Sequence, residues 1–380
     1  MVKISVLVPI YNCEDYLVES INSIFNQTFK DIEIICIDDG SSDNSLDILN
    51  RLRDKDSRLK VYSQENQGAG ATRNNALRKS TGEYIYFFDA DDYLVEDALE
   101  KAYNNAVNND SDIAVFYFDY YDDNIFLRHS KINLEKVFPN ADYTSFTFNY
   151  HDYKQFAFKG PAAPWFKLYK KEFLDEYDYF EFPINLIHND IPFHAKTILK
   201  ASKISFVPEY LYHYRNDNPN SISNTRLSKI YDIFRIIDLV EDFLKSEDLF
   251  EYFKEEFAFL KTDQIVYQIR GRTNEYFNIA KKELSEVDLN NEYITKNIRF
   301  KANSILNSKS IEEYNYKIEI YQLKNKNAKL SKDIRQLKVQ NTELKNKNNK
   351  LKKQKDEILN SNSWKLTKIF RSMRKKFKEN

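Results

Sequence analysis

Three carboxylates close an apolar run in "YIYFFDADDYL" (84–94): Asp89, Asp91 and Asp92 follow a stretch that reads as a buried strand. Like charges this close repel, and burying them unpaired is costly. A positive species is therefore expected beside them. A divalent metal carrying a phosphate meets that need, because an Asp pair one residue apart suits the hard ions Mg2+ and Mn2+ and leaves positions open for phosphate oxygens. Helix capping is an alternative for Asp92 but does not require Asp89. A second acid pair, Asp38 and Asp39, ends "IEIICIDD" before Gly40. A carboxylate facing a pyrimidine selects uracil, whose N3–H is a donor that cytosine lacks; Asp-Gly is equally the chemistry of a turn.

Strands and helices must bring these residues together. "KISVLVPI" (3–10), "IEIICIDD" (32–39), "RLKVYS" (58–63) and "EYIYFFD" (83–89) are near-continuous apolar or β-branched runs, separated by helical segments from Glu14 to about Asn26, after Ser41, and through "GAGATRNNALRKS" (68–80). That alternation predicts an α/β fold with a mostly parallel sheet covered on both faces. Ligands of such sheets bind outside the carboxyl ends of the strands. Pro9 to Asn12, Asp38-Asp39, Gln67 to Arg73 and Asp89-Ala90-Asp91 each follow a strand, so all four clusters fall at one sheet edge.

The remainder of the chain is organised differently. Residues 112–225 are mixed and rich in Tyr and Phe, and 226–310 show helical spacing, as in Ile230, Ile233, Phe234 and Ile237. Leu323, Leu330, Leu337, Leu344, Leu351 and Ile358 then recur every seven residues, with Ile320, Asn327, Ile334, Asn341, Asn348 and Lys355 at the other seam position. This pattern over 311–360 predicts a two-stranded parallel coiled coil and a homodimer, or else a long solvated helix. The formal charge of −1 hides a segregation: residues 345–380 carry 13 Lys/Arg against 3 Asp/Glu, or +10, leaving −11 for the rest. In the tail, 361–380, Trp364, Ile369, Phe370, Met373 and Phe377 alternate with Lys and Arg, as in a helix lying on an anionic membrane; a disordered solubilising tail is the alternative. Only Cys13 and Cys36 are present, which suits a reduced cytoplasmic setting, and neither a secretion signal nor a spanning helix is expected.

"ISVLVPIYNCEDYLVESINSIFNQTFKDIEIICIDDGSSDNS", "NQGAGATRNNAL" and "GEYIYFFDADD", with the weaker "PWFKLYKKEFL", "HND" and "YLYHYRNDNPNSIS", resemble the nucleotide-sugar half of family 2 glycosyltransferases of the GT-A fold over roughly residues 3–225. The resemblance implies a UDP-sugar donor, with Pro9 and Tyr11 at the nucleotide (Tyr11 packing on its base), Asp39 accepting from a base N–H, and Arg73 near the phosphates. Asp89 and Asp91 would hold the ribose and Mn2+ or Mg2+. It also implies an acidic base downstream, matched by Asp190 in "INLIHNDIPFHAK", where Asn189 stands in place of the family's frequent Glu. On residue chemistry alone, Asp190 is equally an N-cap and Arg73 equally a solvated helix residue. His213, with Arg215, is read as a further hold on metal and diphosphate when a loop closes, against a core or surface role. Trp165 is read as a stacking surface for an acceptor sugar, against a core role.

Other classes fit less well. "GAGATRN" lacks the third glycine of a dinucleotide fingerprint. A metal-dependent nuclease would need the basic tail near the acidic edge, yet a long coil separates them, so no nucleic-acid partner is expected. A non-catalytic assembly partner would have no use for Asp39, Asp89 and Asp91. A processive synthase would resemble this chain less, for it would carry spanning helices and a Gln-x-x-Arg-Trp element. The expectation is one inverting sugar transfer to a hydroxyl of a cell-surface glycan or lipid-linked acceptor, at the inner face of the membrane.

Overall fold

The computed structural model describes residues 2–122, 125–130, 132–216, 229–269 and 272–376, without the side chains of residues 375 and 376. Ten strands among these residues form one mixed sheet: β1 (Ile4–Ile10), β2 (Ile32–Asp38), β3 (Leu59–Ser63), β4 (Tyr84–Phe87), β5 (Tyr93–Leu94), β6 (Ile113–Asp122), β7 (Ile125–His129), β8 (Thr147–Phe148), β9 (Lys167–Lys170) and β10 (Ile204–Arg215). Their order is β3-β2-β1-β4-β9-β6-β10-β5, with β7 on β6 and β8 on β10. The first four run parallel, as the β-branched runs require, and β6 and β10 are parallel to each other. The sequence pattern did not reveal β9, which lies antiparallel between β4 and β6 and stitches the two parallel groups together.

Helices cover both faces of the sheet. α1 (Glu14–Phe25), α2 (Ser45–Arg53), α3 (Ala69–Lys79) and α4 (Ala98–Asn108) follow the strands as crossovers, burying Leu17, Ile21 and Ile24 of α1 and Leu99, Ala102 and Ala106 of α4. On the opposite face Phe87 and Tyr169 meet Phe193 of α7 (Asp190–Lys200), which stacks on Phe182 at 4.0 Å; α5 (Leu134–Val137) and α6 (Lys171–Asp175) are short. One close approach matters for the site. A Cβ on Gly70 would lie 2.5 Å from the Pro183 carbonyl oxygen, so only glycine lets α3 reach the loop that precedes α7.

Helical spacing after residue 226 produces α8 (Asp232–Ser246), α9 (Lys254–Gln268), α10 (Asn274–Ser285) and α11 (Lys296–Leu306), and these belong to the same compact unit as the sheet. Asn307 onward forms a second unit. There α12 (Ile311–Asn360) is a single helix, about 75 Å long at 1.5 Å per residue. Its first turn is capped from both directions: Ser310 Oγ accepts from Glu313 N while Glu313 Oε2 accepts from Lys309 N. The six heptad residues from Leu323 to Ile358 are 48–65% exposed in the single chain. α13 (Asn362–Lys376) follows, with Leu366, Ile369, Phe370 and Met373 exposed; Phe377 lies outside the described residues. No described helix is long and apolar enough to cross a membrane.

Candidate active site

Register places the acid clusters together. Ile10 pairs with Asp38 and Asp38 with Ser63, while Phe88 N donates to Leu7 O, so β1, β2, β3 and β4 end at one edge. There the Tyr11 ring stands 49% exposed, just after Pro9 on β1. The turn behind it is locked: Asn12, at a φ of 49°, donates its N–H to Ser41 Oγ at 3.0 Å, and its side-chain oxygen accepts from Ser42 N at 2.8 Å.

Asp39 is buried and shapes the loop into α3. Its Oδ1 accepts from Gln64 Nε2 and Gln67 N, and its Oδ2 from Gly68 N, each at 2.8 Å. Capacity for one more donor remains on Oδ2. The loop thus anchored launches α3, whose Arg73 is buried, not solvated. Arg73 Nη2 meets Asp89 Oδ1 at 2.7 Å, and Nη1 donates to Asn189 Oδ1 at 3.3 Å. Its Nε is buried with no partner among the described residues. Asp190 is next to Asn189 and opens α7, close enough for its charge to act on Arg73, Lys167 and Tyr169. Arg73 therefore ties the strand-end acids to the loop carrying Asp190.

The three acids of "DADD" divide their roles. Asp92 is buried; it accepts from Tyr212 Oη and, at 2.7 Å, from Arg215 N. Burial, and then the charges of Asp91 and Asp89, push its carboxyl well above the ordinary range. Asp89 and Asp91 remain partly exposed. Among the described residues no three His, Cys, Asp or Glu side chains converge as a metal cage. The donor chemistry of Asp89 and Asp91, two hard carboxylates crowded by a third, fits a divalent ion whose other ligands come from diphosphate and water.

Three expectations change with the geometry. His213 is not brought to Asp89 and Asp91. Its ring lies between Tyr93 and Tyr121, at 4.7 and 4.6 Å, and burial lowers its pKa while Asp119 opposes that shift. Strand alternation is the reason, since Tyr212 and Tyr214 take the face toward Asp92. Arg215 is committed to structure: Nε donates to Asp91 O at 2.8 Å and Nη2 pairs with Glu19 at 2.6 Å. Trp165 is 5% exposed and stacks on Tyr212 at 4.3 Å, so in this structure it backs the Tyr212–Asp92 bond from the core. Downstream of "YHYR", residues 217–228 lie outside the described residues.

Sequence reasoning also missed a buried lysine. Lys167 is fully buried, donates to Ala163 O at 2.5 Å and sits 3.6 Å over the Phe166 ring. Burial drives its pKa well below the usual lysine value, with the Asp190 charge pulling back. Nothing in "KLYK" marked it, because a strand not recognised cannot show which side chains it buries.

The sequence profile described as glycosyl transferase family 2 matches residues 5–178. The cholesterol galactosyltransferase of Borreliella burgdorferi is 33% identical over 262 residues, 65% of this chain and 69% of that protein. The chain belongs to glycosyltransferase family 2. Glycosyltransferase GlyA of Streptococcus pneumoniae serotype 4 is 33% identical over 225 residues, 56% of this chain, which spans only 30% of GlyA. Among solved structures, S. aureus TarS 1–349 in complex with UDP-GlcNAc superposes with a TM-score of 0.62 at 23% identity, covering 84% of this chain and 92% of that one. The chain thus has the GT-A fold, and the Arg73–Asp89–Asn189 junction lies at its sheet edge.

Proposed function

We propose that this glycosyltransferase moves a sugar from a UDP-sugar to a hydroxyl of a glycan or lipid-linked acceptor in one inverting displacement. The observation that carries this reading is the Arg73 bridge, 2.7 Å to Asp89 and 3.3 Å to Asn189, which joins a diphosphate-suited acid edge to the residue just before Asp190, a carboxylate that can serve as base. The TarS complex holds UDP-GlcNAc, which supports a nucleotide-sugar donor of the uridine class. Tyr11 offers its exposed ring to the base and Asp39 Oδ2 its remaining acceptor site to an N–H. Asp89 and Asp91 would hold Mn2+ or Mg2+, which neutralises charge on the departing diphosphate. Arg73, buried, adds a fixed positive charge there. Asp190 takes the proton of the acceptor hydroxyl as its oxygen bonds to the anomeric carbon and the bond to the diphosphate oxygen breaks. A single displacement with a single base inverts the anomeric configuration.

A thermal-shift and hydrolysis screen of UDP-, GDP- and ADP-sugars, run with Mn2+ and with EDTA, tests the reading. Stabilisation and slow turnover by a UDP-sugar only with Mn2+ is expected; a response to another nucleotide, or none to any, removes it. NMR of the product would expose a retaining reaction.

The second unit extends the proposal. The exposed leucine stripe on α12, with Asn327, Asn341 and Asn348 at the other position of the same seam, supports a parallel dimer, since Asn layers pair with themselves only in that register. Leu337→Lys with Leu344→Lys should give a monomer by light scattering; a wild type already monomeric removes the dimer. The exposed apolar residues of α13 beside Lys365, Lys368, Arg371 and Arg374 support contact with an anionic membrane, about 1 kcal/mol per basic residue. Sedimentation with anionic vesicles, comparing the full chain with one ending at Asn360, tests that contact, and equal binding by both dismisses it.

A further inference from the structure

The loop that delivers Asp190 is gripped from two sides. From the sheet side, Arg73 holds Asn189, whose Nδ2 donates back to Leu186 O at 3.0 Å. From the helical side, Asp232 of α8 accepts from Ile187 N at 2.9 Å, and Lys229 Nζ donates to Asn185 O at 3.2 Å. Between these holds two non-glycine residues take left-handed backbone, Asn185 at a φ of 61° and His188 at 60°. For histidine this conformation is unfavourable and persists only where the surroundings impose it. The surroundings here include a side-chain bridge. His188 Nε2 lies 2.9 Å from Nε2 of Gln268, a buried residue at the end of α9. Gln268 Oε1 already accepts from Arg272 Nη2 at 3.3 Å, and its carbonyl oxygen from Arg272 Nε at 2.6 Å.

That arrangement fixes the proton. With Oε1 turned to Arg272, the Gln268 amide must donate to His188, so Nε2 of the imidazole is the acceptor and the ring proton is on Nδ1. An imidazolium has no acceptor and would set two donors against each other.

We propose that His188 is a positioning residue for Asp190: its neutral ring, held by the Arg272–Gln268 chain, locks the loop that presents the base, so the helices after residue 229 help set the reaction geometry. The inference rests on Asp190 being the base. Three charged groups face His188. The carboxylates of Asp190 and Asp232 favour the imidazolium, whereas Arg272 disfavours it. Burial is the largest influence and leaves the His188 pKa below its ordinary value, so the bridge is intact at neutral pH and opens as pH falls through that lowered value.

The test uses the full chain, Mn2+ and UDP-glucose, UDP-galactose or UDP-N-acetylglucosamine, following UDP release against pH, with UDP affinity by calorimetry. Gln268→Leu should lower kcat on the order of 10- to 100-fold, the scale of a small misplacement of a catalytic group, with KM and UDP affinity unchanged. Gln268→Glu gives the imidazolium an acceptor and should keep kcat while extending activity to lower pH. In an Asp190→Asn background, Gln268→Leu should add little, since both act through one carboxylate. A wild-type kcat in Gln268→Leu, a loss confined to KM or UDP affinity, an acid limb unmoved in Gln268→Glu, or full additivity with Asp190→Asn would each overturn the inference. Unimpaired turnover by Asp190→Asn alone would instead remove the base assignment.

Discussion

At the amino-terminal ends of the parallel strands, Glu33 of β2 is 2% exposed and fully engaged. Its Oε1 accepts from Ser5 Oγ at 2.6 Å, Thr81 N at 2.7 Å and Thr81 Oγ1 at 2.8 Å, and its Oε2 from Lys60 at 2.6 Å, while Gly82 N donates to Ser5 Oγ at 2.9 Å. Burial raises its pKa, but the Lys60, Ser5 and Thr81 bonds outweigh that and hold it below the usual value. At the carboxyl ends of the same strands, Asp89, Asp91 and Asp92 crowd together, with Arg73 and the Arg215 backbone N–H as local compensation. One end closes its polar network; the other gathers three carboxylates beside one buried guanidinium. A closed network fastens three strands in register, whereas an open one is the form a ligand can complete.

That contrast can be broken by substitution. The largest effect is expected for Asp190→Asn, which should bind UDP normally and transfer sugar about 10²- to 10⁴-fold more slowly. Single-turnover measurement on the UDP-sugar found in the screen checks it, and transfer at the wild-type rate would place the base elsewhere. Asp91→Asn should next weaken Mn2+-dependent UDP binding about 10- to 100-fold by calorimetry. Because it removes one of three repelling charges, its melting temperature should stay level or rise; a fall would mean that the acid edge, too, holds the fold together.

Glu33→Gln should do the reverse. It removes a charged acceptor from a buried network and should cost about 2–3 kcal/mol in denaturant unfolding, with kcat per folded molecule unchanged. The sign in pH follows from its depressed pKa: the Glu33 contribution is present above the unfolded carboxylate value and is lost as pH falls through the folded one. Wild type and Glu33→Gln should therefore converge in stability at acid pH. A difference that persists there would show that shape, not charge, fastens this end.

The sheet edge was legible because hydrophobic runs marked the strands and each run ended in polar residues, Asp38-Asp39 and Asp89-Ala90-Asp91 among them. Glu33 was not legible as a network centre. Its donors come from positions 5, 60 and 81, which meet only through strand register. The surroundings of Trp165 and His213 were not legible for a related reason: a residue type names a capability, and strand alternation decides which side of the sheet receives it.

By itself, then, the amino-acid sequence determined that acid clusters follow β2 and β4, that β1 to β4 run parallel, and that Leu323 to Ile358 line one side of a long helix, because each of these is a local pattern of period two, of 3.6, or of apolar runs and turns. Only the tertiary structure decided that Arg73 reaches from Asp89 to Asn189, that Gly70 admits the loop before α7, and that Gln268, 80 positions beyond His188, stands behind the candidate base. Those are contacts between segments far apart in the chain. Their distances are set by packing across the whole core, to which no short stretch of sequence has access.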